Sequence, residues 1–332
     1  MVGNSTTYTG WLKLTDGASL TVGRYFCLKN GEVTVENGTI SVPSYDFELG
    51  QSGAATLNLN EGGVVGVKKV IRKANTNTVM FNGGELKALD NCTDLITSDA
   101  KVIVKVGAKG GTINANSRTV TFKRPIEPDG ANDGGMRFIG GGTITLGGAN
   151  TYTGMTTVEA GTLAIPSSGA LCGGLVVSNG AVCTVSLSTA PTLGAVTIAG
   201  TATFASTFSA TSLVLPSGGS LTVTGVGANV GAVSDYAGDF TVTGVSEWPK
   251  NTPIVKSSTP GFLEKVAASL NASETISSGL EFTVKDGSVQ LVQAGIVNGS
   301  LTWTGAAGDT LWSTAGNWGD AGRRIYSGDA LV

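Results

Sequence analysis

The chain has 332 residues, 50 of them glycine, with no histidine, a net charge of −3 and only 14% charged residues. That composition excludes a charge-rich disordered chain, and the sequence shows neither the Gly-X-Y period of collagen nor an apolar run near the roughly 18 residues of a membrane helix. The net charge argues against a nucleic-acid partner, and the missing histidine removes Ser-His-Asp triads, His-bound zinc and His general bases.

The beginning, Met1-Val2-Gly3-Asn4-Ser5, has no basic or apolar leader pattern, so the chain is expected to be intracellular or a piece of something longer. Short alternating runs follow, among them Ser19-Leu20-Thr21-Val22, Glu32-Val33-Thr34-Val35, Thr39-Ile40-Ser41-Val42 and Thr56-Leu57-Asn58-Leu59. Period-two alternation with β-branched residues predicts half-buried strands. Asn30-Gly31, Asn37-Gly38, Asn82-Gly83, Asn179-Gly180, Asp286-Gly287 and Asn298-Gly299 are the expected turns. Turn signals about every 8 to 12 residues suit an all-β fold. Very short strands, recurring Gly, Asn and Thr, and scarce charge favour a solenoid over a sandwich or barrel. The repeat is degenerate, and no firm period emerges.

Lys68-Lys69-Val70-Ile71-Arg72-Lys73 reads as a solvated edge that discourages strand pairing. The other reading is a patch for anionic glycans or lipid heads. The loop Glu127-Pro128-Asp129-Gly130-Ala131-Asn132-Asp133 reads as a solvated connection. Its alternative is a calcium site built on Asp129, Asn132 and Asp133, although the spacing is not that of an EF-hand.

Composition changes near residue 140: from Gly141 to Pro249 there is no Lys or Arg. Four segments are expected, at 1–140, 141–250, 251–299 and 300–332. The third holds a helix candidate at Gly261–Leu270 and a hairpin from Leu280–Val284 to Ser288–Val292. The fourth holds Trp303, Trp312 and Trp318, read as packing within a cap or a further block, with sugar stacking as the alternative. Cys27, Cys92, Cys172 and Cys183 form no Cys-x-x-Cys and are expected to be buried free thiols.

The run from Gly141 to Leu163 is the most specific in the chain. Gly142-Thr143-Ile144-Thr145-Leu146 is followed by Asn150-Thr151-Tyr152-Thr153-Gly154, then Thr156-Thr157-Val158, then Gly161-Thr162-Leu163. It resembles the autotransporter-associated β-strand repeat, also called the passenger-associated transport repeat. The motif positions are Gly142, Thr143, Leu146, Asn150, Tyr152, Gly154, Val158, Gly161, Thr162 and Leu163. The resemblance implies a right-handed parallel β-helix and a place at the cell surface or outside the cell as part of a longer protein; the residues after 250 are expected to add a small C-terminal extension. On the residues themselves, Gly147-Gly148 and Gly161 allow tight corners. Asn150 is expected to bond backbone at a turn, with stacked Asn ladders as an option. Tyr152 is expected to cover a corner and keep its hydroxyl wet.

Two functions are then in play. The first is a non-catalytic structural or adhesive segment of a large bacterial surface or secreted solenoid, with no cofactor and a glycan or cell-surface ligand as partner. The alternative is a polysaccharide lyase or hydrolase on the same fold. The nearly charge-free middle third favours the segment. Uncapped solenoid ends expose strand edges, so end-to-end self-association is also expected.

Overall fold

A computed structural model describes residues 2–3, 6–274, 280–293, 300–301 and 330–331. The chain forms two compact units, Met1–Val245 and Ser246–Val332. The first is a parallel β-solenoid; the described residues make about 11 stacked parallel turns and are only 5% helical.

Three parallel sheets build the first unit. Sheet A runs along it, through Ser19–Val22, Thr39–Val42, Val64–Val67, Glu85–Ala88, Gly111–Asn114, Met136–Ile139, Thr156–Val158, Leu175–Val177 and onward to Ala228–Asp235. Sheet B serves only the N-terminal coils, through Thr6–Leu14, Phe26–Val35, Ala55–Asn60, Asn77–Asn82, Val102–Val106 and Ile126–Pro128. Sheet C begins at Thr119–Phe122 and continues through Thr143–Leu146, Thr162–Ile165, Val182–Val185, Thr201–Phe204, Ser220–Thr224 and Asp239–Thr243. Sheet B therefore ends where sheet C takes hold, and the loss of Lys and Arg after residue 140 coincides with that exchange.

Alternation fixes which side chains enter the core. In Thr143–Leu146 the threonines face out while Ile144 and Leu146 are buried. Parallel register then stacks inward residues on inward residues: Val120, Ile144, Leu163, Cys183, Ala202, Leu221 and Phe240 form one continuous buried column. A one-residue slip would turn each strand's apolar set outward. Cys183 occupies its place in that column as a small hydrophobe, and burial pushes its thiol up to about 12. All four cysteines are free; Cys27 and Cys183 are buried, Cys92 and Cys172 half-buried.

The register also supplies the period that sequence alone does not show. Thr143 pairs Thr162, which pairs Val182, then Thr201, Ser220 and Asp239, so these coils are 19 or 20 residues long. In sheet B, Thr34 pairs Asn58, Met80 and Lys105 in turn, and the coils there are longer, at 22 to 25 residues. The extra residues supply a third face: Phe47–Leu49 pairs Val70–Arg72, and bridges from Val70 to Ile96 and from Cys92 to Val120 lead that face on into sheet C, so the later coils keep two faces once sheet B ends.

Two expectations are corrected here. Asn30-Gly31 is not a break between strands: it lies inside Phe26–Val35, where Gly31 at φ +97° bends the chain while its neighbours stay paired. The basic run is not an edge either, because Val70–Arg72 pairs Phe47–Leu49 on one side and Val70 bridges Ile96 on the other.

The second unit contains helix α1, Pro260–Ser273. Proline at its first turn needs no intrahelical N–H partner there, and Phe262, Leu263, Val266, Ala267 and Leu270 form its buried face. An antiparallel hairpin joins Leu280–Lys285 to Ser288–Gln293 through Asp286-Gly287, both at positive φ. Asn271 ties helix to hairpin, donating to the Phe282 carbonyl and accepting from its N–H, each at 2.8 Å. Trp303, Trp312, Trp318 and Asn298-Gly299 lie outside the described residues.

Candidate functional site

The motif sits where sheet B ends, and its residues perform that ending. A terminated sheet leaves backbone donors and acceptors that must be satisfied. Asn150, only 2% exposed, does so from three directions. Its Oδ1 accepts from the N–H of Ile126, in the last strand of sheet B, at 3.0 Å. Its amide donates to the carbonyls of Gly148, at 2.9 Å, and Ala170, at 3.2 Å. The Thr151 N–H then donates to the Ile126 carbonyl at 3.0 Å. One side chain thus bonds the coil before it and the coil after it. No Asn ladder forms at this position, because the next coil offers a backbone carbonyl rather than a second amide.

Tyr152 corrects an expectation. Its ring and hydroxyl are both buried, at 0% exposure, and the hydroxyl lies 2.6 Å from Oγ1 of Thr156, itself fully buried. Burial raises the phenol pKa far above its ordinary value. The coil loses a face here, so a side chain at the corner is enclosed rather than laid over the surface.

Asp133 completes the corner from the preceding coil. It accepts hydrogen bonds from the N–H and hydroxyl of Thr153, at 2.6 and 2.8 Å, and from the N–H groups of Gly154 and Gly135, at 2.8 and 2.9 Å. Burial pushes its pKa up, but these bonds outweigh burial and hold the carboxyl below its usual range. Its fellow calcium candidate Asp129 lies 2.9 Å from the Lys105 ammonium, and Asn132 stands exposed. The two carboxylates thus have separate partners. Among the described residues no group of three or more acidic or Cys side chains is placed to hold a metal.

A consequence for pH follows. A carboxyl with a depressed folded pKa contributes stability that is complete above the unfolded value of about 3.9 and lost as pH falls through the folded one. Asp133→Ala is expected to cost about 2 kcal/mol at pH 7, a few charge-assisted bonds' worth for a partly exposed group. Near pH 2 the gap between wild type and variant should narrow, as seen in urea melts at both values. Glu61, bonded by Lys109, and Asp90 and Asp99, each bonded first by a neighbouring backbone N–H, also lie below the usual range. Both proteins lose those contributions in acid, so the gap isolates Asp133. A gap that stays constant would contradict this role.

Glycines set the remaining corners. Gly142, Gly161, Gly200, Gly219 and Gly238 recur in step with the coils, interrupted once by Ala181, and each precedes a strand of sheet C. A Cβ on Gly161 would overlap the carbonyl oxygen of Gly142, and one on Gly200 that of Ala181. The sequence carries this signal, a Gly followed by Thr, Ser or Asp and then an apolar residue, once a 19-residue step is tried. The remaining motif residues are strand positions: Thr143 and Thr162 face outward, and Leu146, Val158 and Leu163 are buried.

The basic run has its own partners. Lys68, Lys69, Arg72 and Lys73 reach Asp90, Asp94, Asp99 and Glu48, on adjacent coils, at 3.3, 3.4, 2.6 and 2.7 Å. It is a ladder of ion pairs between coils, which leaves little free positive charge for an anionic ligand.

Residues 139–165 match the family model of the passenger-associated transport repeat. The chain carries a passenger repeat. The match spans the end of Met136–Ile139 through Thr162–Ile165 and contains Asn150, Tyr152 and the Gly142–Gly161 step. No curated protein and no solved structure matches the chain. Passenger repeat and β-solenoid together fit a segment of an autotransporter passenger, a family that implies an extracellular or surface location. Among the described residues no helix is long and apolar enough to cross a membrane.

Proposed function

We propose that this chain is a non-catalytic structural or adhesive segment of a large surface-exposed or secreted bacterial β-solenoid. The passenger repeat at 139–165 carries the reading. Its support is that the polar groups of the repeat are spent on construction: Asn150 and Tyr152 bond neighbouring backbone and a buried hydroxyl, and Asp133 of the preceding coil bonds the repeat's backbone. Two carboxylates near the repeat are likewise ion-paired, Asp129 with Lys105 and Glu159 with Arg137.

Fractionation of native cells tests the location. An antibody raised against the chain should detect its antigen in the surface or secreted fraction, in a form cleaved when intact cells are treated with protease. Antigen confined to the cytoplasm sinks the proposal. Catalysis is tested separately with Asp129→Ala, because Asp133→Ala lowers stability whatever the function. An enzyme acting through this loop would lose turnover of an acidic polysaccharide in Asp129→Ala. The segment should show no turnover in either protein.

A further inference from the structure

One surface of the first unit carries chemistry that the passenger repeat does not use. Strand Thr6–Leu14 pairs with Phe26–Val35, setting Trp11 opposite Glu32 and Lys13 opposite Thr34, and Thr34 in turn opposite Asn58. Leu14, Val33, Val35, Leu57 and Leu59 are buried. Alternation therefore stands Trp11, Lys13, Glu32, Thr34 and Asn58 on the outer face of sheet B. With Asn60 they line a groove of about 360 Å³.

The groove pairs an unusual wall with a polar floor. Trp11 is 89% exposed. A large aromatic ring left in water beside fixed polar groups is a feature of recognition surfaces. The floor is set in advance: the Asn58 amide donates to Glu32 Oε1 and, at 3.2 Å, to the Thr34 hydroxyl oxygen. The Thr34 hydroxyl donates to the same Glu32 oxygen at 3.0 Å. The Lys13 ammonium is drawn 2.9 Å from Glu36, so it does not neutralise Glu32.

A hexose is the complement of such a groove. Its C–H face is flat and apolar and stacks on an indole, while its hydroxyls donate to a carboxylate and to an amide oxygen, as Asn58 offers, and accept from an amide N–H, as Asn60 offers. An acidic sugar would bring a second negative charge beside Glu32, which disfavours it. We propose that this groove binds a neutral polysaccharide, stacking one hexose on Trp11 and taking its hydroxyls on Glu32, Asn58 and Asn60. The surface-segment reading gives such a site its occasion to meet glycans.

Affinity electrophoresis of the full chain tests the proposal, in native gels containing hydroxyethylcellulose, laminarin or mannan, with alginate as the acidic comparison. Retardation is expected in at least one neutral gel and not in alginate. Trp11→Ala should weaken the association at least about tenfold, the scale of one lost aromatic stacking contact. The ring is exposed, so the thermal melt of Trp11→Ala should match wild type. Unretarded migration in all three neutral gels overturns the proposal. Equal retardation of wild type and Trp11→Ala overturns it, as does retardation in alginate alone. If Trp11→Ala abolishes self-association in sedimentation but leaves gel mobility unchanged, the groove belongs to a second copy of the chain. Each of these failures leaves the cell-fractionation result standing, so the two readings fail separately.

Discussion

Tyr152→Ala should destabilise the first unit by about 3–5 kcal/mol, the cost of emptying a fully buried aromatic site. Tyr152→Phe should cost about 1 kcal/mol, one hydrogen bond at constant volume. The contrast follows from burial. The ring is wholly enclosed at the corner where the coil changes from three faces to two, and the hydroxyl meets only the buried Thr156. Removing the ring leaves a cavity that neighbouring coils, fixed by their own ladders, cannot close. Removing the hydroxyl leaves the Thr156 hydroxyl without its partner but opens no cavity. In a solenoid each coil supports only its neighbours, so the lesion should also be local. Urea melts give the two losses, and brief proteolysis should open Tyr152→Ala near residue 150 before other sites. Equal losses in the two variants would mean that the ring packs less tightly than its burial indicates.

Gly161→Ala should cost about 3 kcal/mol, against about 1 kcal/mol for Gly180→Ala. Both glycines adopt left-handed φ, +79° and +76°, so both substitutions bear the same backbone strain. They differ in what lies next to them. A Cβ on Gly161 would overlap the Gly142 carbonyl oxygen and come within 2.9 Å of the Gly142 nitrogen, whereas a Cβ on Gly180 meets nothing within 4 Å. The overlapped atoms are backbone of the adjacent coil, so the clash can be relieved only by prising coils apart. Matched urea melts of the two variants separate close approach from φ strain. Similar losses would show that coil spacing is not what selects glycine at residue 161.

Much of the architecture was legible in the sequence. Ser19–Val22, Thr39–Val42 and Thr143–Leu146 alternate cleanly, and each is a strand with its apolar residues inward. Asn37-Gly38 and Asp286-Gly287 redirect the chain, with Asn37, Asp286 and Gly287 at positive φ. The helix predicted at Gly261–Leu270 lies within Pro260–Ser273. The run Gly142–Leu163 pointed to the family that residues 139–165 match. Asp133 was the least legible. Beside Pro128, Asp129 and Gly130 it resembles any acidic loop residue. Its partners Thr153 and Gly154 lie about one coil ahead, and a contact at that distance is invisible until the coil length is known.

Side-chain alternation and turn chemistry are local, so the sequence by itself determined the β class, the short strands and the identity of the repeat. The coil length, the handover from sheet B to sheet C and the fate of each polar group were decided by the tertiary structure. Those depend on which residues lie one coil apart, and parallel register sets that only when all the buried columns align at once. Tyr152 shows the difference most plainly. Its sequence neighbours suit an exposed corner, yet the loss of one face of the coil encloses it and turns its hydroxyl onto Thr156.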